Sequence, residues 1–213
     1  MTVFETLRDS VADEWERLLA HPFVSSMADG TLRPETFRFY LRQDDYYLDV
    51  LLRCMGAFVS RAPDRPARRL GVRLLAGTLS GELEMHDDLI GRDATEGLEV
   101  CDAALAYEAF LLRIAMEGDA TAILVSMTPC IASYREIAAR YEGRIRSHIP
   151  AAYAEWFATY GGDEYGALVD DTLAWLDGAI PSLDGVAGKR LRSIFSEAAS
   201  LERRFWDDCA GRP

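Results

Sequence analysis

Between Phe37 and Phe58, seven residues (Phe37, Tyr40, Asp44, Tyr47, Leu51, Cys54 and Phe58) recur at alternating spacings of three and four. That spacing closes into one face of a helix and cannot be laid on one face of a strand, where the period is two. A chain with such a segment is committed there to a long buried helix. Asp44 is the only formal charge on the face. Taking a carboxylate out of water is costly unless a cation or a hydrogen-bond donor meets it. The position therefore admits two readings, a buried Asp paired with a neighbouring helix or a ligand-binding acid.

The pattern returns near the C-terminus, where Phe195, Ala199, Glu202 and Trp206 share a face and Arg203, Arg204, Asp207 and Asp208 point elsewhere. Glu202 is a second lone acid. A third stripe, Ile123, Met127, Cys130, Tyr134, Ile137 and Tyr141, places a thiol and a phenol one turn apart in apolar company. The remaining segments carry the same period, and no run alternates like a strand bounded by hairpin signals. The predicted class is all-α. Thr2 and Glu5 form a capping-box start for a first helix running to the His21-Pro22 stop. Pro34 opens the long second helix, which Ala62-Pro63 and Pro66 end. Further helices are predicted over about 66–92, 102–117, from Asp119 through Cys130, up to Tyr160, to about Leu176, and from about Gly188 to Cys209.

The 213 residues suffice for one substantial core, and no Gly, Ser or charge-rich linker divides them, so a single domain over 1–213 is expected. Acidic residues outnumber basic ones 35 to 23, for a net charge of −12. Phosphate contacts need clustered Lys and Arg, so no nucleic-acid partner is expected. The densest basic run, Arg61, Arg65, Arg68, Arg69 and Arg73, reads as a solvated helix face. No apolar run reaches a membrane span and the N-terminus is no signal peptide, which predicts a cytoplasmic protein without a membrane partner. The four cysteines have no zinc spacing and are expected as free thiols.

Pro129 precedes Cys130 inside its helix and cannot donate to the carbonyl of Val125, which puts the thiol at a predicted bend. The residues alone allow an inert buried cysteine or a nucleophile there. Glu82 and His86 stand four apart on a face with Leu75, Leu79 and Leu89, as either a buried pair or two ligands of one metal. Only His21 and His148 remain, and neither joins a second helical carboxylate–histidine pair, so no metal is expected. GxSxG, HExxH, Walker and dinucleotide motifs are absent.

Five stretches, HPFVSSMADGTLRPETFRFYLRQDDYY (21–47), GELEMHDDL (81–89), MTPCIASYREIA (127–138), TYGGDEY (159–165) and LERRFW (201–206), resemble in order and separation the TenA, or thiaminase II, family in its cysteine-bearing branch. The resemblance implies a single-domain helical bundle of the haem-oxygenase-like type, a homotetramer, and no cofactor. It implies that Cys130 is the nucleophile and Glu202 the general acid toward an aminopyrimidine ring. Asp44 would bind the amino-substituted edge, with Tyr47, Tyr107, Tyr134, Tyr160 and Phe205 around the ring. The implied reaction converts 4-amino-5-aminomethyl-2-methylpyrimidine, or thiamin, to the 5-hydroxymethyl compound in thiamin salvage. Two departures from the family pattern, Ile131-Ala132 after the cysteine and Arg203-Arg204 after Glu202, bear on pocket shape. Asp45 is expected to face solvent or an interface. A di-iron oxidase on the same scaffold and a non-catalytic pyrimidine-binding or regulatory protein are the alternatives.

Overall fold

The computed structural model describes residues 1–91, 95–145 and 147–211. Among them are eleven α-helices and no strand. They are α1 (Val3–Asp9), α2 (Ala12–Leu19), α3 (Pro22–Asp29), α4 (Pro34–Arg61), α5 (Arg65–Gly77), α6 (Leu83–Ile90), α7 (Asp102–Glu117), α8 (Ala120–Tyr141), α9 (Ala151–Gly161), α10 (Asp163–Ala179) and α11 (Gly185–Ala210). The all-α class is as the sequence implied. Buried apolar side chains from every helix form one contiguous core.

Helix α8 lies at its centre, packed against α11, α4, α10, α9 and α7. The reason is in its composition: from Ala120 to Tyr134 it carries no formal charge, and a helix apolar on all sides has to be surrounded. Its start is set by Asp119, whose side chain accepts from the Ala122 amide at 2.8 Å. The helix runs on through Pro129, while the Thr128 hydroxyl donates to the Leu124 carbonyl at 2.7 Å. Helices α4 and α11, each amphipathic, lay their buried faces against α8 and bring Asp44 and Glu202 inward.

Three local departures from the sequence reading have physical causes. The Thr2–Glu5 capping box opens α1, but the first helix is broken: Ser10 donates its hydroxyl to the Leu7 carbonyl at 2.6 Å, and the chain restarts as α2. The chain does stop its helix before His21-Pro22, with α2 ending at Leu19, but the segment that follows is helical as well. His21 caps α3 by accepting from the Phe23 amide at 3.2 Å, with Pro22 in the first turn, and Gly30 at φ 73° ends it. Finally, the helix predicted over 66–92 is divided by a π-turn at Thr78–Glu82. The wider turn shifts the register of the faces, so Leu79, placed inward by a regular period, is 50% exposed, while Thr78 and Glu82 turn in. The arginines at 61, 65, 68, 69 and 73 are exposed, and all four cysteines are free and buried.

Candidate active site

Asp44 is buried on α4, at one end of a polar network drawn from four helices. Tyr40, one turn earlier, donates its hydroxyl to Oδ2 at 2.9 Å. The same hydroxyl accepts from the Trp156 indole of α9 at 3.0 Å and meets the Tyr134 hydroxyl of α8 at 3.3 Å. His86 of α6, fully buried, places Nε2 3.5 Å from Asp44 Oδ2 and Nδ1 3.6 Å from Asp45 Oδ1. Asp45 is thus turned toward His86 with its side chain 22% exposed, so it meets solvent only in part. The reason is that α6 packs beside α4 and carries a basic ring to both adjacent acids. Burial pushes Asp44 up to about 6, against the lowering effect of His86 and the Tyr40 hydroxyl. Burial also opposes a charge on His86, but the carboxylates of Asp45, Asp44 and Glu82 outweigh it and raise the imidazole above its usual value.

Glu202 on α11 is 1% exposed, and burial, reinforced by Asp44, pushes its carboxyl up to about 8. It therefore holds a proton at neutral pH. Cys130 of α8 lies within the electrostatic reach of Glu202, Glu82 and Asp44, and burial together with these acids keeps its thiol well above the usual range. Beside the sulfur stand two phenols, Tyr47 of α4 and Tyr107 of α7, with ring centroids 4.8 Å apart. Phe205 of α11 lies 6.1 Å from the Tyr47 ring, and Tyr134 packs on Tyr160 at 4.6 Å. Asp44, Tyr47, Tyr107, Cys130, Tyr134, Tyr160, Glu202 and Phe205 so converge on one interior region from α4, α7, α8, α9 and α11.

Hydrogen bonding in that region is incomplete. Both carboxyl oxygens of Glu202 and the hydroxyls of Tyr47 and Tyr107 are buried with no hydrogen-bond partner in the protein, and the Trp206 indole N–H joins them. The Tyr107 phenol is near enough to favour the charged form of Glu202 without meeting hydrogen-bond geometry. A buried polar group left unpaired costs about 1–3 kcal/mol, so native interiors hold few and seldom cluster them. Four of these atoms, on Glu202, Tyr47 and Tyr107, belong to the residues that act on the one thiol, and they make a polar cradle shaped for a guest with both donors and acceptors.

The third acid, Glu82, ends the π-turn. Its Oε2 accepts from the Tyr160 hydroxyl and its Oε1 from the Thr78 hydroxyl, both at 3.1 Å, and burial raises its carboxyl to about 7. Among the described residues, no three His, Cys, Asp or Glu side chains make a group that could hold a metal ion. Glu82 and His86 are both buried but meet different partners, Glu82 the hydroxyls of Tyr160 and Thr78 and His86 the acids Asp44 and Asp45. Sequence reasoning gave no part to Tyr40, Trp156 or Tyr165. For Tyr40 a signal was present, since it stands one turn before Asp44 on the same stripe.

Residues 8–211 match the TENA/THI-4/PQQC family. The chain belongs to this family. An aminopyrimidine aminohydrolase of Halalkalibacterium halodurans is 28% identical over 97% of this chain and 95% of its own length. An aminopyrimidine aminohydrolase of Bacillus subtilis is 25% identical, covering 97% of this chain and 89% of its own. Among solved structures, a TenA homologue from P. horikoshii superposes with TM-score 0.88 at 28% identity, covering 98% of each chain. A cyanobacterial heme oxygenase, at TM-score 0.67 and 13% identity, covering 99% of this chain and 93% of its own, shares the fold. Within this TenA-like frame, Arg203 is turned outward, where its Nε donates to Glu14 of α2 at 2.6 Å and its guanidinium also pairs with Asp207. Among the described residues, no helix is long and apolar enough to cross a membrane.

Proposed function

We propose that the chain hydrolyses a 4-amino-2-methylpyrimidine carrying a leaving group on its 5-methylene, 4-amino-5-aminomethyl-2-methylpyrimidine or thiamin, and releases the 5-hydroxymethyl compound for thiamin salvage. The observation that carries this reading is the group of unpaired polar atoms on Glu202, Tyr47 and Tyr107 around the Cys130 thiol. The family's named aminohydrolases support it.

Asp44 accepts from the ring's amino group. Glu202, protonated at neutral pH, gives its proton to a ring nitrogen and makes the ring electrophilic. The cationic ring also lowers the thiol's pKa, reversing the effect of the surrounding acids, and the Cys130 sulfur bonds to the ring carbon next to the methylene-bearing one. The thiol's proton passes to the Glu202 carboxylate just formed. The C–N bond breaks with its electron pair on nitrogen, so the ammonium leaves as ammonia or the thiazolium as a neutral thiazole, and the ring electrons form an exocyclic double bond. Water adds to the methylene, the C–S bond breaks as water's second proton goes to sulfur, and the ring-nitrogen proton is released to the departed ammonia or to water. No cofactor enters the balance.

The test is a product assay on both substrates with the parent, Cys130→Ser and Glu202→Gln. Loss of turnover in both variants is expected, and turnover that survives Cys130→Ser unchanged removes the nucleophile assignment. The homotetramer belongs to the same reading, and a monomer in sedimentation at micromolar concentration would refute it.

A further inference from the structure

Glu82 is a buried acid with no part in the scheme above. It is 9% exposed and faces two ways. Outward, it lines a cleft of about 730 Å³ between the π-turn with α6 and the ends of α9 and α10. Inward, it is one of the charges acting on Cys130 and is itself raised by Asp44. Tyr165 lines the same cleft and donates its hydroxyl at 3.0 Å to the carbonyl of Ile131, the residue after Cys130. Tyr160, which donates to Glu82, packs on Tyr165 with ring centroids 5.0 Å apart. Glu82 and Tyr165 thus line the cleft, while the Tyr160 hydroxyl and the Ile131 carbonyl tie them to the neighbourhood of Cys130.

We propose that Glu82 is the specificity-determining residue for the leaving group: its carboxylate receives the cationic substituent on the 5-methylene, an ammonium or a thiazolium, on the cleft side of the site. This rests on the reaction proposed above. Tyr160 and Thr78 each donate to one Glu82 oxygen, an arrangement that favours the carboxylate over the acid. An ammonium supplies the further charge-assisted donor such a carboxylate takes. A thiazolium offers no N–H, but its charge meets the carboxylate and the faces of Tyr160 and Tyr165. A neutral group of the same size leaves the buried charge uncompensated. The rest of the cleft agrees in sign, since among the described residues no Lys, Arg or His lines it.

The experiment uses the full chain with Cys130→Ser, which holds ligands without turnover. Calorimetry compares 4-amino-5-aminomethyl-2-methylpyrimidine with its 5-ethyl isostere, in which the ammonium is a methyl group. The cationic compound is expected to bind at least about tenfold tighter, and adding Glu82→Gln is expected to bring the two Kd values within about twofold, chiefly by weakening the cation. Equal affinity of the two compounds before Glu82 is changed overturns the assignment, and needs no further variant to fold. A preference that survives Glu82→Gln in a protein of unchanged helical content overturns it too. Failure of the underlying reaction looks different: the parent then releases no ammonia and binds neither compound.

Discussion

Glu202→Gln should abolish turnover and at the same time stabilise the unliganded protein at alkaline pH. Burial raises the Glu202 carboxyl from the usual glutamate value of 4.5 to about 8 in the folded chain. Below pH 4.5 both folded and unfolded forms carry the proton, and folding stability is undiminished. Above it the unfolded chain releases its proton while the folded chain retains it, so stability falls by about 1.4 kcal/mol per pH unit until the folded group also ionises. The loss saturates above pH 8 at about 5 kcal/mol, an upper bound because Asp44 titrates in the same region and part of the shift is its doing. A glutamine never ionises, so the variant lacks this slope. Its amide brings unpaired groups of its own, a constant offset that does not depend on pH. The assay is urea unfolding of parent and variant at pH 5, 6, 7, 8 and 9. The stability difference should move in the variant's favour with each step to pH 8 and then level. Parallel curves for the two proteins would show that Glu202 is not a proton-holding buried acid, and its role as general acid would fall with that result.

Asp44→Asn keeps the shape but removes one of the acids that face His86 and turns an acceptor into a donor; KM for the aminopyrimidine should rise about ten- to a hundredfold, more than kcat falls, in steady-state kinetics. Tyr40→Phe strips the hydroxyl that joins Asp44, Trp156 and Tyr134, and should cost about 2–4 kcal/mol in denaturant unfolding; a change within about half a kcal/mol would show the network to be inconsequential. Gly71 sits where α5 crosses α4, and a Cβ there would stand 2.5 Å from Val59 Cγ2 and 2.9 Å from Phe58 Cδ1. Gly71→Ala should therefore lower stability by about 1–3 kcal/mol, read as a fall in the denaturation midpoint without loss of aminopyrimidine binding.

The helices most legible in the sequence were those whose packing agrees with a simple period. The α4, α8 and α11 stripes are each buried along their length, because three- and four-residue spacing alone puts those side chains on one side. Caps were legible for the same local reason, as at Thr2 and Asp119. Helix α3 was missed although Phe23, Val24, Met27 and Ala28 give it a buried face: the stop at His21-Pro22 does follow α2, but the same Pro also opens the next helix in its first turn. Leu79 was misplaced because a π-turn alters the period it was read from, and nothing local announces that turn. The approach of Asp45 to His86 was not legible because that ring belongs to another helix.

What the sequence determined by itself is which residues are withdrawn from water on each helix, and that three such faces carry a lone Asp44, a lone Glu202 and Cys130. Helical periodicity is a local property and reads out of short spacings. Only the tertiary structure decided what those groups face. The bonds that define the site join residues 78 apart for Tyr160 to Glu82 and 116 apart for Trp156 to Tyr40. The shifted acidities of Asp44, Glu82 and Glu202 come from burial by helices distant in sequence and from one another's charge. Desolvation and Coulomb interaction depend on distance in space, and no spacing along the chain encodes that distance until the helices have packed.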